Sequence, residues 1–288
     1  MTSQENAPNA RETRKEQLGG SYSMYSSHWE VSASSLAEQG AYSWMADSIG
    51  GLTRVLEIGT GTGHSTLELL RRGHSVVSID ENPICLEAAN RLLKEAHKTN
   101  LLLRGTRNFT SSFYQVQYAP ISAGLSNPAP GEVLFIEGDV CNDDKLLRWL
   151  TSVEFDAVAC WLIGTHPLRQ FNEVYERRRK RGKPVIETDS DYRFWTQNTV
   201  YELADKVLRP SGRLSVVDRG KPLGQANNRV ELYRSHRDQA SVTSLSARGP
   251  EGITEFDYTE VADGVPLRGP GFTPVTEITL HCVTSEKS

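Results

Sequence analysis

Apolar and polar positions change period repeatedly along this chain, and each change marks an element. Short, mainly apolar runs, Val55–Ile58, Val76–Ile79, Val133–Ile136, Phe155–Trp161 and Leu214–Val217, each but one broken by a single polar residue, have the length of buried strands. Helical stretches lie between them. Asn82 and Pro83 make a helix start, after which Ile84, Ala88, Leu92 and Ala96 recur at i+4. Tyr192 to Leu208 reads as a helix with Trp195, Thr199, Leu203 and Val207 on one stripe, and Leu36 to Ile49 as another carrying Ala41, Trp44 and Met45. Val275 to Val283 alternates with period two, as a final antiparallel strand would. Strands alternating with helices predict an α/β fold with a doubly wound, mostly parallel sheet.

Two connections are too long for that plan. Residues 98–130 and 164–191 each run to about thirty residues where a βα connection needs about two to six, so both are insertions. The first carries Phe109, Phe113, Tyr114 and Tyr118; the second carries Arg177–Arg178–Arg179–Lys180–Arg181. Residues 1–20 are polar and are expected to form a mobile tail. Residues 21–50 are expected to form a helical lid, and 51–288 a single domain. The pattern over 223–270 fits either strands or a short helix plus a hairpin. No internal repeat is present.

Composition narrows the class. The net charge of −4 gives no global field for nucleic acid or an anionic membrane. The four cysteines (Cys85, Cys141, Cys160, Cys282) have no paired or metal-ligand spacing and read as reduced thiols. No apolar run of membrane-spanning length and no apolar leader are seen. The expectation is a cytoplasmic protein with no metal and no membrane partner.

The richest local signal follows the first strand: Glu57–Ile58–Gly59–Thr60–Gly61–Thr62–Gly63. Glycines at the carboxyl end of a parallel strand let the chain turn sharply and let a ligand approach main-chain N–H groups. The dinucleotide fingerprint places two residues before its third glycine; here Gly63 comes one residue early and His64 stands in its place, which argues against NAD or FAD. No Lys–Ser/Thr follows, so this is not a phosphate-binding P-loop. Asp80, about twenty residues on, is placed to accept from two ribose hydroxyls.

Together these residues resemble the first motif of the class I methyltransferases that use S-adenosylmethionine (SAM). Val133–Val140 is similar to that family's third strand and the acid after it, Phe155–Trp161 to its fourth strand, and Val207–Val217 to its fifth with the preceding turn. The resemblance spans about residues 50–220. It implies a seven-stranded sheet with an antiparallel last strand, an N-terminal helical segment and a cap built from the two insertions. It also implies SAM as cofactor, with the glycine turn beside the methionine part, Asp80 on the ribose, and Asp139 and Val140 at the adenine. The expected contact set is Glu57, Gly59, Thr60, Gly61, Gly63, Asp80, Glu81, Asp139, Val140 and Cys160.

Methyl transfer from a sulfonium is an in-line displacement, so the protein mainly has to hold a nucleophile about 3 Å from the carbon and exclude water. The acceptor should sit beyond the fourth strand. His166 there is the first candidate for a general base and His28 the second. Tyr22, Tyr25, Trp29, Trp161, Tyr192 and Trp195 are candidates for an aromatic wall around a small-molecule or peptide acceptor. The Asn/Asp-Pro-Pro-aromatic motif of base N-methylating relatives is replaced by Cys160–Trp161–Leu162–Ile163. Two alternatives stay open: an RNA or protein methyltransferase using the basic 177–183 segment, and an inactive scaffold. Oligomeric state is not legible.

Overall fold

Strand after strand in this protein buries both faces, because each apolar run alternates its side chains between two separate cores. In the computed structural model, which describes residues 10–224, 226–259 and 277–288, Val55, Val76, Val133, Phe135 and Ala157 face one core. Their neighbours Leu56, Val77, Leu134, Ile136 and Val158 face the other.

The elements are α1 (Ala10–Glu38), α2 (Ala41–Asp47), β1 (Arg54–Ile58), α3 (His64–Arg71), β2 (Ser75–Asp80), α4 (Pro83–Leu93), β3 (Thr99–Leu102), β4 (Gly105–Phe109), β5 (Tyr114–Tyr118), β6 (Val133–Glu137) and α5 (Asp144–Leu150). They continue with β7 (Phe155–Trp161), α6 (Glu173–Lys180), α7 (Asp189–Val207), β8 (Leu208–Gly220), α8 (Ala226–Ala240), β9 (Leu245–Ala247), β10 (Thr254–Thr259) and β11 (Glu277–Lys287). The main sheet runs β10-β11-β8-β7-β1-β2-β6-β3, with β9 paired to β11. From β3 to β8 every pairing is parallel, and β11 is antiparallel to β8.

The expected architecture is therefore present, with β3 and β9 added to its seven strands. Helices α1 to α4 pack on the first core, and α5, α7 and α8 on the second. The chain leaves β1 toward β2 and returns to β7 on the other side, so a crevice opens at the carboxyl ends of β1 and β7, where such sheets bind ligands.

Several local expectations need correction. Residues 10–20 are helical, and Leu18 is buried against the cap. Leu18, Tyr22, Trp29, Ala33 and Leu36 form a stripe on α1 that includes Ser26 and starts inside the supposed tail. The expected tail residues 1–9 lie outside the described residues. The helix expected over Leu36–Ile49 is broken at Gly40, which takes φ 82° and starts α2. Asn82 caps α4 through Ile84 N as expected, but the buried stripe is Cys85, Leu86, Ala89 and Leu93, while Leu92 is exposed. Of the region left open, the described part holds α8, β9 and β10, the last two paired with β11, while 225 and 260–270 lie outside the described residues.

The first insertion supplies β3 and the separate hairpin β4–β5. The second supplies a 3-10 turn (Pro167–Phe171) and α6. Hairpin, turn and the start of α1 share a small core of Leu18, Tyr22 and Tyr114, with Leu168 and Phe171 against it. That cluster forms a cap over one side of the crevice.

Candidate functional site

The glycine turn is shaped by hydrogen bonds from Gly59 N and Thr60 N to Ile79 O, at 2.8 and 3.2 Å. Gly59 and Gly61 border the crevice, and each is close-packed against a side chain from another element. A Cβ on Gly59 would lie 2.7 Å from Ile163 Cδ1, and one on Gly61 would collide with Trp29 Nε1. Gly63 has a different task. It starts α3 at φ 94°, and its Cβ would sit 2.9 Å from Ala89 Cα, so it sets helix packing and does not border the cavity.

The cavity holds about 670 Å³ of empty space, counting the part open to solvent. Asp80, Glu81, Asp139 and Val140 line it together with Gly59 and Gly61. Asp80 Oδ2 accepts from Gly61 N at 3.0 Å, and Oδ1 from Asn82 N at 2.8 Å. The Glu81 backbone N–H also reaches this carboxylate. Burial raises the Asp80 pKa to about 6, against the pull of those N–H groups.

Sequence reasoning missed Arg169. It is 3% exposed, forms an ion pair with Glu81, donates from Nη2 to Asp139 Oδ2 at 3.1 Å, and lies 4.0 Å over the Tyr192 ring. Burial pushes Glu81 up to about 7, with Arg169 pulling it down. Asp139 Oδ2 also accepts from Asn142 Nδ2 at 2.8 Å, while Oδ1 accepts only from Cys141 N at 2.9 Å and so keeps one lone pair. No local motif marks Arg169; it arrives on the 3-10 turn of the second insertion.

His166 borders the cavity but is itself buried. Nδ1 lies 3.4 Å from Ser21 Oγ, Nε2 lies 3.5 Å from Tyr114 Oη, and the ring stands edge-on to Tyr22. Burial first, then Arg169 and Arg107, lower its pKa to about 3. So weak and so buried an imidazole is poorly suited to take a proton from an acceptor near neutrality. Its contacts tie α1 to the hairpin and to the 3-10 turn.

A second cavity of about 600 Å³ adjoins the first, sharing Tyr25, Trp29, Leu162, Ile163, Gly164 and Thr165. Only there do Asp189, Arg193, Asp218 and Arg219 contribute. Leu162, just beyond β7, holds φ 56°, a strained conformation for a leucine. It is fixed by its N–H bond to Val217 O at 2.8 Å.

The remaining expected residues divide. Tyr25 and Trp29 border both cavities, while Trp161 and Tyr192 border the first. Trp161 is also a core residue, donating to Ser215 Oγ at 2.9 Å. Glu57 is turned inward, accepting from Thr66 Oγ1 and Ser78 Oγ, each at 2.6 Å, and burial raises its pKa. Thr60 joins that network at Ser78 Oγ, 2.6 Å away. Cys160 points into the second core, as strand alternation requires beside Trp161. Tyr22 packs in the cap, and Trp195 packs against Tyr175, Tyr192 and Arg178; neither they nor His28 line either cavity.

Comparison with known proteins gives fold neighbours only. No family model matches the chain. No curated protein matches it either. Among solved structures, it is similar to the N-methyltransferase NodS from Bradyrhizobium japonicum WM9 in complex with S-adenosylhomocysteine (SAH), at 11% identity, TM-score 0.44, covering 90% of this chain and 98% of that one. It is also similar to a putative methyltransferase from Bacillus halodurans C-125, at 11% identity, TM-score 0.45, covering 85% and 98%. A third structure concerns the conversion of a disulfide bond into a thioacetal group during echinomycin biosynthesis, at 15% identity, TM-score 0.45, covering 87% and 82%. With likeness this distant, the reaction rests on the site's own geometry.

Proposed function

We propose that this protein is a SAM-dependent methyltransferase acting on an oxygen or nitrogen of a small molecule or short peptide. One observation carries the proposal: the glycine turn after β1, Asp80 at the end of β2 and Asp139 after β6 border a single cavity. A nucleoside needs that combination, with acceptors for its sugar and its amino group at opposite ends of an apolar slot.

The residues fit the cofactor. Asp80 offers the ribose hydroxyls the acceptor capacity that its backbone N–H partners leave, and Asp139 Oδ1 has one lone pair for the adenine amino group. Ile79 and Val140 supply apolar faces for the ring. Gly59 and Gly61 border the cavity, and their missing side chains leave room for Ile163 and Trp29 to close in on the turn. Bound SAM would supply an activated methyl group.

The work left to the chain is orientation and exclusion of water. Trp29, Leu162 and Ile163 give the shared wall its apolar character. No buried base stands free in the second cavity: Asp218 is held by Arg193 at 3.0 Å and Gln197 at 3.2 Å. An acceptor that loses its proton to solvent suits such a site.

Titration calorimetry with SAH tests the proposal; saturable one-to-one binding is expected, and its absence would remove the methyltransferase assignment. The RNA alternative draws less support. Arg177 and Arg179 lie beside Glu173 and Glu176, and Arg178 stacks on Trp195, so much of the basic run is partnered within α6 and α7.

A further inference from the structure

The second cavity contains an unmatched cation. Among the described residues, Arg219 has no salt-bridge partner for its guanidinium, and both Nε and Nη2 are buried without a hydrogen bond. Its sequence neighbour Asp218 forms no ion pair with it; that carboxylate accepts instead from Arg193 Nη1 at 3.0 Å, Gln197 Nε2 at 3.2 Å and the Arg219 backbone N–H at 2.8 Å. Arg219 is instead held with its guanidinium carbon 5.2 Å from the centre of the Trp29 ring. Guanidinium N–H groups shut away from water without an acceptor cost free energy that native proteins seldom leave unanswered.

The surroundings indicate what would answer it. Trp29, Leu162 and Ile163 give the cavity an apolar wall, and it is separate from the glycine turn and from Asp80, Glu81 and Asp139. The ligand therefore has an apolar body and one planar anionic group able to take two parallel N–H bonds. We propose that this chamber binds an apolar carboxylic acid, its carboxylate paired with Arg219, and that a hydroxyl or amine elsewhere on this acid is the methyl acceptor, the S–CH3 bond breaking as the O–CH3 or N–CH3 bond forms, with SAH as leaving group and the proton passing to solvent. The role of acceptor rests on the methyltransferase assignment above; the carboxylate site does not.

The two are separable with the full-length protein. SAH titration examines the cofactor assignment alone. The carboxylate site is examined by ligand-observed NMR with 3-phenylpropionate and with its neutral twin 3-phenylpropionamide, with SAH present if it binds and without it otherwise. The acid should bind at least about tenfold more tightly than the amide, since a charge-assisted pair replaces a neutral one.

Arg219→Gln should erase that preference while the thermal melt stays within a few degrees of the parent. Arg219→Lys, which keeps the charge and loses the fork, should retain part of it, and decides the matter if the glutamine variant melts early. Equal affinity for acid and amide, including no binding of either, would overturn the site. So would a preference that survives in both variants. A third adverse result is specific to the source of the carboxylate. If Arg219→Gln weakens SAH about tenfold but leaves 5′-methylthioadenosine unchanged, Arg219 holds the methionine carboxylate of the cofactor and the acceptor claim falls.

Discussion

The two chambers share one wall and differ in almost everything else. The first is crowded with charge: Asp80, Glu81 and Asp139 converge on it, and Arg169 bridges two of them. The second is mainly apolar, with the Arg193–Asp218 ion pair set beside Arg219, which has no ion-pair partner among the described residues. The contrast teaches where each specificity comes from. On the proposed reading, a nucleoside would be fixed by several acceptors held in advance by backbone N–H groups, whereas the second ligand would be chosen by shape and by the charge of Arg219.

The comparison breaks most severely at Arg169. Replacing it with Gln leaves Glu81 and Asp139 as buried carboxylates without their counter-ion, which should cost about 3–5 kcal/mol of stability, read in urea unfolding. A melt like that of the parent would mean the bridge contributes little. Next comes Asp80→Ala, expected to weaken SAH by roughly 2–3 kcal/mol through loss of a bidentate acceptor. Binding of 3-phenylpropionate should be unaffected.

A pH series sharpens the same point. Burial holds Asp80 at about 6, above the ordinary carboxylate value, so the acceptor form is lost as pH falls through 6. SAH affinity should drop below that pH, approaching tenfold per unit, and Asp80→Asn should flatten the curve in calorimetry. A pH-independent affinity would place the ribose elsewhere.

The smallest effect at neutral pH concerns His166. Its folded pKa lies near 3, below the ordinary value near 6.5, so the unfolded chain binds more protons between those limits and stability is lost as pH falls through that window. His166→Asn should behave like the parent at pH 7.5 and lose less stability than the parent between pH 6.5 and 4. Equal acid sensitivity would mean that the cap's weakness lies in another group.

Legibility in the sequence followed locality. Strands β1, β2, β6 and β7, the turn after β1, and Asp80 and Asp139 each announce themselves within ten residues, because strand burial and tight turns are short-range demands. Arg169 and Arg219 gave no such signal, since a lone arginine acquires meaning only from partners brought together by distant elements. Glu57 and Cys160 misled for a related reason: both belong to the right motif, yet strand alternation turns one toward α3 and the other toward the second core. The apolar stripe on α1 was readable, but its serines and the Gly19–Gly20 pair disguised it as a tail.

Trp29 draws a last consequence from the shared wall. One ring touches Gly61, faces both chambers and lies under the guanidinium of Arg219. Whatever shifts that indole to admit one guest alters the room left for the other, so the two occupancies are thermodynamically linked and each ligand should change the affinity of its companion by the same factor.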